Sequence, residues 1–263
     1  MIPLQDAEQQ LILGDSMRIM DGLKMKFDCL FIDPPYFDWA DGKTKKPDHN
    51  KLSILAYELL KPNGCIFLCG TQPQMANDWH YWARFFKLNF ELIAHKLHSV
   101  PPLSKKRPIL THENIWCLWR KKDSLKNVKI DISKVAKGRG KTVRIHKKGS
   151  MRTRYGDSWQ EWKVDVGYPK SVITVPRISS HSKEYEGHPA QKPLKITRLI
   201  IKMSTDEGDW ILDPFSGVGT TLMIAKELSR NCLGIEINKE YIRLTKRRLQ
   251  RVKELKKLKS WME

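Results

Sequence analysis

The sequence predicts an α/β fold, a doubly wound and mostly parallel sheet carrying a small basic insertion. Three observations predict it. Short apolar runs alternate with helical patterns up to about residue 120, the alternation returns after about residue 187, and the stretch between them loses it. Strands separated by helices are joined by crossovers rather than hairpins, which makes the sheet parallel and places helices on both its faces. At 263 residues the chain is long enough to bury a sizeable core.

Phe27 to Ile32 (FDCLFI) is an almost unbroken apolar run and reads as a buried strand. Leu52 to Leu60 has helical spacing and is closed by Lys61-Pro62-Asn63-Gly64, after which Cys65 to Cys69 (CIFLC) is a second buried strand. Residues 74 to 88 fit another helix, and Phe90 to His95 and Asn114 to Trp119 fit further strands. Beyond the insertion come a helix from about Leu194 to Met203, a strand from Trp210 to Asp213, a helix from Thr220 to Leu228 and a strand from Cys232 to Ile237. From Lys239 a basic helix runs to the end, with Ile242, Leu249, Val252 and Leu255 as its apolar stripe. The expected organisation is therefore one half of the α/β domain over 1–120, the insertion over 121–186 and the second half over 187–263.

Composition narrows the class. No apolar run approaches the ~18 residues of a membrane span, and Met1 to Gln10 is polar and acidic without the pattern of a secretory signal, so a cytoplasmic protein is expected. The five cysteines are scattered through apolar runs and none forms the close pair of a zinc site, so no metal is expected. The formal charge of +19 favours a polyanionic partner, nucleic acid first, over a basic surface that binds nothing. That charge is concentrated: between Arg120 and Lys163 there are 15 Lys and Arg against 4 Asp and Glu. Arg139, Lys141, Arg144, Lys147, Arg152 and Arg154 are the candidates for neutralising phosphates, while Tyr155, Trp159 and Trp162 supply stacking or packing surface. The C-terminal helix is either a second phosphate-binding face or only a solvated one.

Two motifs carry chemistry. Ile211-Leu212-Asp213-Pro214-Phe215-Ser216-Gly217-Val218-Gly219-Thr220-Thr221 joins a strand to a helix through a glycine turn, where the backbone can approach a ligand closely. The next strand ends in Glu236-Ile237-Asn238, which places an acid about 20 residues beyond the turn, suited to a ribose diol. Thr221 and Leu222 stand where a dinucleotide fingerprint would show its third glycine, which favours a nucleoside without a pyrophosphate. The second motif, Asp33-Pro34-Pro35-Tyr36, follows the strand FDCLFI and so lies at the carboxyl edge of the sheet. The Asp33 carboxylate and the Pro34 carbonyl can accept the two N–H groups of an exocyclic amine. The prolines stiffen the turn, and the Tyr36 ring offers a stacking face that a phenylalanine would supply equally.

With both motifs in that order, the chain resembles the amino-methyltransferases of DNA, specifically the adenine-N6 type in which DPPY precedes a recognition region and the cofactor turn follows. Leu13-Gly14-Asp15-Ser16, Leu60-Lys61-Pro62-Asn63-Gly64, His112-Glu113-Asn114-Ile115 and His188-Pro189-Ala190-Gln191-Lys192-Pro193 are similar to further elements of that family. The resemblance spans about residues 11–119 and 187–249. It implies a Rossmann-like class I methyltransferase fold, S-adenosylmethionine as cofactor and double-stranded DNA as substrate, with the target base flipped out. Asp33, Pro34, Pro35 and Tyr36 would then be catalytic. Asp15 would approach the cofactor's adenine, Lys192 its methionine carboxylate and Glu236 its ribose. Phe215, Gly217, Gly219 and Thr220 would line the same pocket, with Asp33, Asp213, Thr221, Ile237 and Asn238 beside them. The resemblance also allows a homodimer and a cognate restriction endonuclease as partners. The leading Asp33 favours adenine over the cytosine-N4 members, which more often carry SPPY. After the motif, Phe37-Asp38-Trp39 and a Lys-rich stretch replace the more usual continuation. A cytosine-N4 or RNA methyltransferase of the same fold, a catalytically idle DNA-binding module and a nicotinamide oxidoreductase are the alternatives.

Overall fold

The computed structural model describes residues 8–36, 45–97, 105–106, 108–136, 141–146, 159–164 and 167–262, with 141–146, 159–164 and 253–262 described by their backbone. The chain divides into two compact units, a large one formed by 1–130 and 171–263 and a small one formed by 131–170.

The strands of the large unit are β1 (Gln9–Leu13), β2 (Phe27–Ile32), β3 (Leu60–Gly70), β4 (Phe86–Lys96), β5 (His112–Arg120), β8 (Val172–Val175), β9 (Trp210–Asp213) and β10 (Asn231–Glu236). Among the described residues they form one eight-stranded sheet in the order β1-β10-β9-β2-β3-β5-β4-β8. Every neighbouring pair is parallel except those made by β5, which runs antiparallel to both β3 and β4. The strand β2 leads outward to β3 on one side, whereas its other neighbour β9 comes from the far end of the chain. The junction of β2 and β9 is therefore where the strand order reverses, and ligands of open α/β sheets sit at the carboxyl ends of strands at such a point.

The helices are α1 (Ser16–Gly22), α2 (His49–Leu59), α3 (Gln74–Trp82), α4 (Leu194–Ser204), α5 (Thr220–Glu227) and α6 (Lys239–Met262). Leu30 and Ile32 of β2 pack with Leu68, Leu212, Leu233 and Ile235 and with Met20, Leu55, Ala56, Leu59 and Trp82 of the first three helices to form one continuous core cluster. The intervening Cys29 and Phe31 are buried as well, as expected of a central parallel strand covered on both faces. All five cysteines are buried and unpaired.

The structure moves several boundaries. Helix α2 begins at His49 rather than Leu52, because the Asp48 side chain accepts from the Asn50 N–H at 2.9 Å and caps it. Helix α3 stops at Trp82, short of residue 88, because Phe86, Lys87 and Leu88 are drawn into β4 opposite Arg120, Trp119 and Leu118. The edge strands β1 and β8 and the helix α1 are additional to the predicted elements. They are short, and their pattern is weak without the neighbour they pair with. The segments 121–130 and 171–186, which the sequence assigns to the insertion, fall in the large unit.

In the small unit, β6 (Lys141–His146) and β7 (Trp159–Val164) form an antiparallel pair, with Lys141 opposite Val164 and Arg144 opposite Glu161. Arg139, Lys147, Arg152 and Arg154 lie outside the described residues. No helix among the described residues is long and apolar enough to cross a membrane. Among them no cluster of three His, Cys, Asp or Glu could hold a metal ion.

Candidate active site

Because β1, β2, β9 and β10 are parallel, the segments that follow them emerge on one edge of the sheet. They bring together Asp15, Asp33 to Tyr36, Asp213, Phe215 to Val218, and Glu236 to Ile237, which line a cavity of about 430 Å³. The antiparallel β5 adds its beginning to the same edge. Asn114 of β5 is opposite Gly70, the last residue of β3, so Glu113 stands at the carboxyl end of the parallel strands and joins the lining.

The glycine turn between β9 and α5 is shaped by backbone geometry and held from outside. Gly219, at the N-cap of α5, has φ +72°, and a Cβ there would overlap the Thr245 side chain of α6. The Thr245 hydroxyl donates to the Gly217 carbonyl at 3.2 Å, and the buried Arg248 guanidinium donates to the Val218 carbonyl at 2.7 Å and the Thr220 hydroxyl at 3.2 Å. Ser16 at the start of α1 donates to the Pro214 carbonyl, tying the two turns together. Glu236 Oε2 accepts from the Gly217 N–H at 2.8 Å and Oε1 from the Asn238 N–H at 2.7 Å. Each oxygen so engaged keeps acceptor capacity for a ligand hydroxyl. Burial raises the Glu236 pKa, and these backbone donors pull it back.

On the opposite wall, the Tyr36 hydroxyl donates to Asp33 Oδ1 at 2.9 Å and accepts from Lys192 Nζ at 3.1 Å. Lys192 Nζ lies 2.7 Å from Asp33 Oδ1 and 3.0 Å from Glu113 Oε2. Its three donors are thereby matched by three acceptors of the protein itself. Among the described residues nothing donates to Asp33 Oδ2. Burial raises Asp33 above the usual carboxylate range; Lys192 draws it down and Glu113 pushes it up. Burial alone would lower Lys192, but the Asp33 and Glu113 carboxylates hold it well above its ordinary value. Burial would raise Glu113, but Lys192 and Lys96 outweigh it and hold this carboxyl at about 2. Burial raises Asp213 to about 7, against hydrogen bonds from Thr221 and the Phe215 N–H.

The sequence-predicted residues fall into three groups. The DPPY residues, Asp15, Lys192, Asp213, Phe215, Gly217, Thr220, Thr221, Glu236 and Ile237 lie on the cavity wall. Gly219 and Asn238 stand behind it, Gly219 opening α5 and Asn238 accepting from the Glu240 N–H at the start of α6. Asp15 also caps α1, its Oδ1 accepting from the Arg18 N–H at 2.9 Å. The basic insertion is outside this group: Lys141 and Arg144 belong to the small unit. Sequence reasoning missed His188, which lines the cavity beside Gly217 and whose ring meets Tyr241 edge-on at 4.6 Å. Burial, with Lys192 adding to it, lowers His188 to about 4, so the imidazole is neutral. It missed the part played by Glu113 because the direction of β5, which brings that residue to this edge, leaves no mark in a single strand's pattern. The Tyr36 hydroxyl, given no role beside the ring, is bound to both Asp33 and Lys192.

Among curated proteins, the type II methyltransferase M2.LlaDCHI of Lactococcus lactis subsp. cremoris is 29% identical over 266 residues, covering 92% of this chain and 89% of the relative. The DNA adenine methyltransferase YhdJ of Escherichia coli (strain K12) is 46% identical over a shorter stretch of 81 residues, 31% of this chain and 28% of the relative. Among solved structures, the complex of M1.HpyAVI with SAM superposes with a TM-score of 0.59 at 22% identity, covering 92% of this chain and 99% of that one. The fold is thus that of a class I methyltransferase. A family model described as DNA methylase matches residues 27–247, from the strand that delivers Asp33 to the helix that buttresses the glycine turn, and the chain belongs to that family.

Proposed function

We propose that the protein is a site-specific DNA methyltransferase that places a methyl group on the N6 amino nitrogen of adenine in duplex DNA, with S-adenosylmethionine as donor. One observation carries the reading: Asp33, pinned through Oδ1 by Tyr36 and Lys192, and Glu236, held by two backbone N–H groups, line one cavity. The volume is within the range of small-molecule sites, and the residues fit the donor. Glu236 suits the ribose hydroxyls, the side chains of Phe215 and Ile237 offer apolar surface, and Gly217 and Gly219, both at positive φ, leave the turn without a Cβ at those positions.

When bound, S-adenosylmethionine supplies an electrophilic methyl group on a sulfonium. The chain's residues prepare the acceptor. An adenine amino group is a poor nucleophile because its lone pair is delocalised into the ring. Asp33 Oδ2 and the Pro34 carbonyl accept its two N–H groups and favour the pyramidal form, with the lone pair turned toward the donor. Tyr36 stacks on the extruded base and, through its hydroxyl, keeps Asp33 in place. As the methyl group passes to the nitrogen, the S–C bond breaks with its electron pair left on a neutral thioether, and the new N–C bond would leave the nitrogen with one proton too many, which Asp33 accepts and passes to solvent. Asp33, raised by burial, is suited to that role.

The likeness to M2.LlaDCHI, named a type II methyltransferase, supports service beside an endonuclease of the same specificity. The adenine in the name of YhdJ supports the target base. A DNA substrate puts the work in the cytoplasm at the nucleoid, and a homodimer is one arrangement in which it acts. The test is to incubate the purified chain with methyl-labelled donor and duplex DNA, digest the product and identify the nucleosides by mass spectrometry. N6-methyladenine is expected. N4-methylcytosine, labelled RNA only, or no transfer would overturn the reading.

A further inference from the structure

We propose that Glu113 is a positioning residue for methyl transfer: it holds the Lys192 ammonium beside Asp33 and offsets its charge, so that Asp33 is fixed in place yet remains a strong acceptor for the target amine. The inference rests on the cavity being a DNA methyltransferase site.

The geometry begins with strand direction. Since β5 runs against β3 and β4, Glu113 sits at the carboxyl edge, opposite Ala94 of β4 and next to the Asn114–Gly70 pair. From there Oε2 reaches Lys192 Nζ at 3.0 Å, while the same ammonium is 2.7 Å from Asp33 Oδ1. Lys192 is only 8% exposed, so it bridges two carboxylates largely shielded from water. A lone lysine at this distance would fix Asp33 but would also stabilise its negative charge and weaken it as an acceptor. A second carboxylate on the same ammonium shares that charge and returns basicity to Asp33. The excess negative charge is met by Lys96 at the end of β4, which pairs with Glu113 Oε1 and is 34% exposed. Two carboxylates and two ammonium groups thus form a chain from the cavity to the surface.

The other titratable groups facing this chain carry little charge. The Tyr36 hydroxyl and the Cys69 thiol of β3 are pushed well up by burial and stay neutral, and His188, facing Lys192, is neutral with its pKa at about 4. Among the described residues, Asp213 at the end of β9, raised by burial to about 7, also interacts electrostatically with Asp33. Lys192 has its three donors matched within the protein by Asp33, Glu113 and Tyr36, so a cofactor carboxylate brought to it would meet an ammonium already engaged.

The experiment uses the full-length chain with donor and duplex DNA. The rate at saturation is followed from about pH 5.5 to 9, and affinities for S-adenosylhomocysteine and DNA are measured in parallel. Glu113→Gln is expected to lower kcat by about ten- to a hundredfold, to leave both affinities within about threefold, and to move the acid limb of the kcat profile to lower pH, because Lys192 then acts on Asp33 unopposed. Lys96→Met, at a partly exposed position outside the cavity, is expected to move that limb the other way. It carries the test alone if Glu113→Gln does not fold. Combining Glu113→Gln with Lys192→Met should be no slower than Lys192→Met, since the carboxylate acts through the lysine. The proposal is overturned if Glu113→Gln keeps the wild-type rate and profile, if it loses cofactor affinity with kcat intact, or if its deficit vanishes when activity is expressed per folded molecule. Failure of the wild type to methylate DNA would instead remove the functional reading underneath.

Discussion

Asp33 has one oxygen already committed to Tyr36 and Lys192, and this fixes what its variants should do if it is the acceptor proposed above. Asp33→Ala removes the acceptor and also leaves Lys192 and Tyr36 without their shared partner, so methyl transfer should fall by at least a hundredfold while affinity for the cofactor stays within about fivefold. Single-turnover assays beside calorimetry would decide it, and turnover above about a hundredth of wild type would exclude Asp33 from the role. Tyr36→Phe keeps the stacking ring but deletes the hydroxyl that donates to Asp33 at 2.9 Å. The loss of one such bond, worth about 1 kcal/mol, predicts a kcat reduced several-fold, with base extrusion, followed by 2-aminopurine fluorescence, unchanged. Asp213 supplies a pH test. Its carboxyl is raised to about 7 in the folded chain from an ordinary 3.8, so the folded state binds this proton more tightly than the unfolded one. The stability this gives is complete below the unfolded value and is lost as pH rises through about 7. Asp213→Asn cannot ionise, so its melting temperature relative to wild type should climb between about pH 5 and 8; a difference that is flat or falls with pH would rule the argument out.

At the scale of elements, the runs buried on both faces were the most legible part of the chain. FDCLFI and CIFLC read as strands because a central parallel strand needs apolar residues at every position, and both occupy the middle of the sheet. The edge strands β1 and β8 were not legible, because a short strand with one partner has no pattern of its own until that partner is known. The end of α3 was misplaced for a related reason: Trp82, Phe85 and Phe86 satisfy a helical stripe as well as a strand, and pairing of Phe86 with Arg120 settles the choice. The site followed the same division. Local motifs such as DPPY and GxG could be read, whereas Glu113 acquires its position from the antiparallel course of β5. The C-terminal helix gained a role that its charge concealed. Its basic face left a phosphate-binding surface and a merely solvated one equally open, and the structure adds a third part: Thr245 and Arg248 turn inward and hold the carbonyls and hydroxyl of the glycine turn. Arg248→Met would leave the Val218 carbonyl and Thr220 hydroxyl without this donor in a buried setting, a cost of about 1–3 kcal/mol. The expected result is a lower melting temperature together with weaker S-adenosylhomocysteine binding and unaltered DNA affinity; unchanged cofactor affinity would show that the helix does not support the turn.

For the molecule as a whole, charge is divided unevenly between the two compact units. The small unit, 131–170, has eleven Lys and Arg against four Asp and Glu, a net +7 within 40 residues, whereas the described residues that line the cavity come from the large unit. DNA carries charge along its whole length, so if the small unit holds DNA, it should contribute affinity that depends on salt and not on the methyl donor. Each phosphate contact adds about −0.9 to the slope of log affinity against log salt for duplex DNA, so replacing Arg139, Lys141 and Arg144 with glutamine together should flatten that slope by up to about 3 units if all three meet phosphate. Binding of S-adenosylhomocysteine should be unaffected. A residue that reads a base edge would behave differently: its loss would cost about 1–3 kcal/mol on the target sequence and relax discrimination at one position, with little effect on unrelated DNA. Titrations at several salt concentrations, combined with mapping of methylated adenines on plasmid DNA, distinguish the two. If the triple variant retains both the salt slope and the methylation pattern of the wild type, the small unit does not hold DNA through these residues. The phosphate contacts must then come from the large unit, where Lys45 and Lys46 border the cavity.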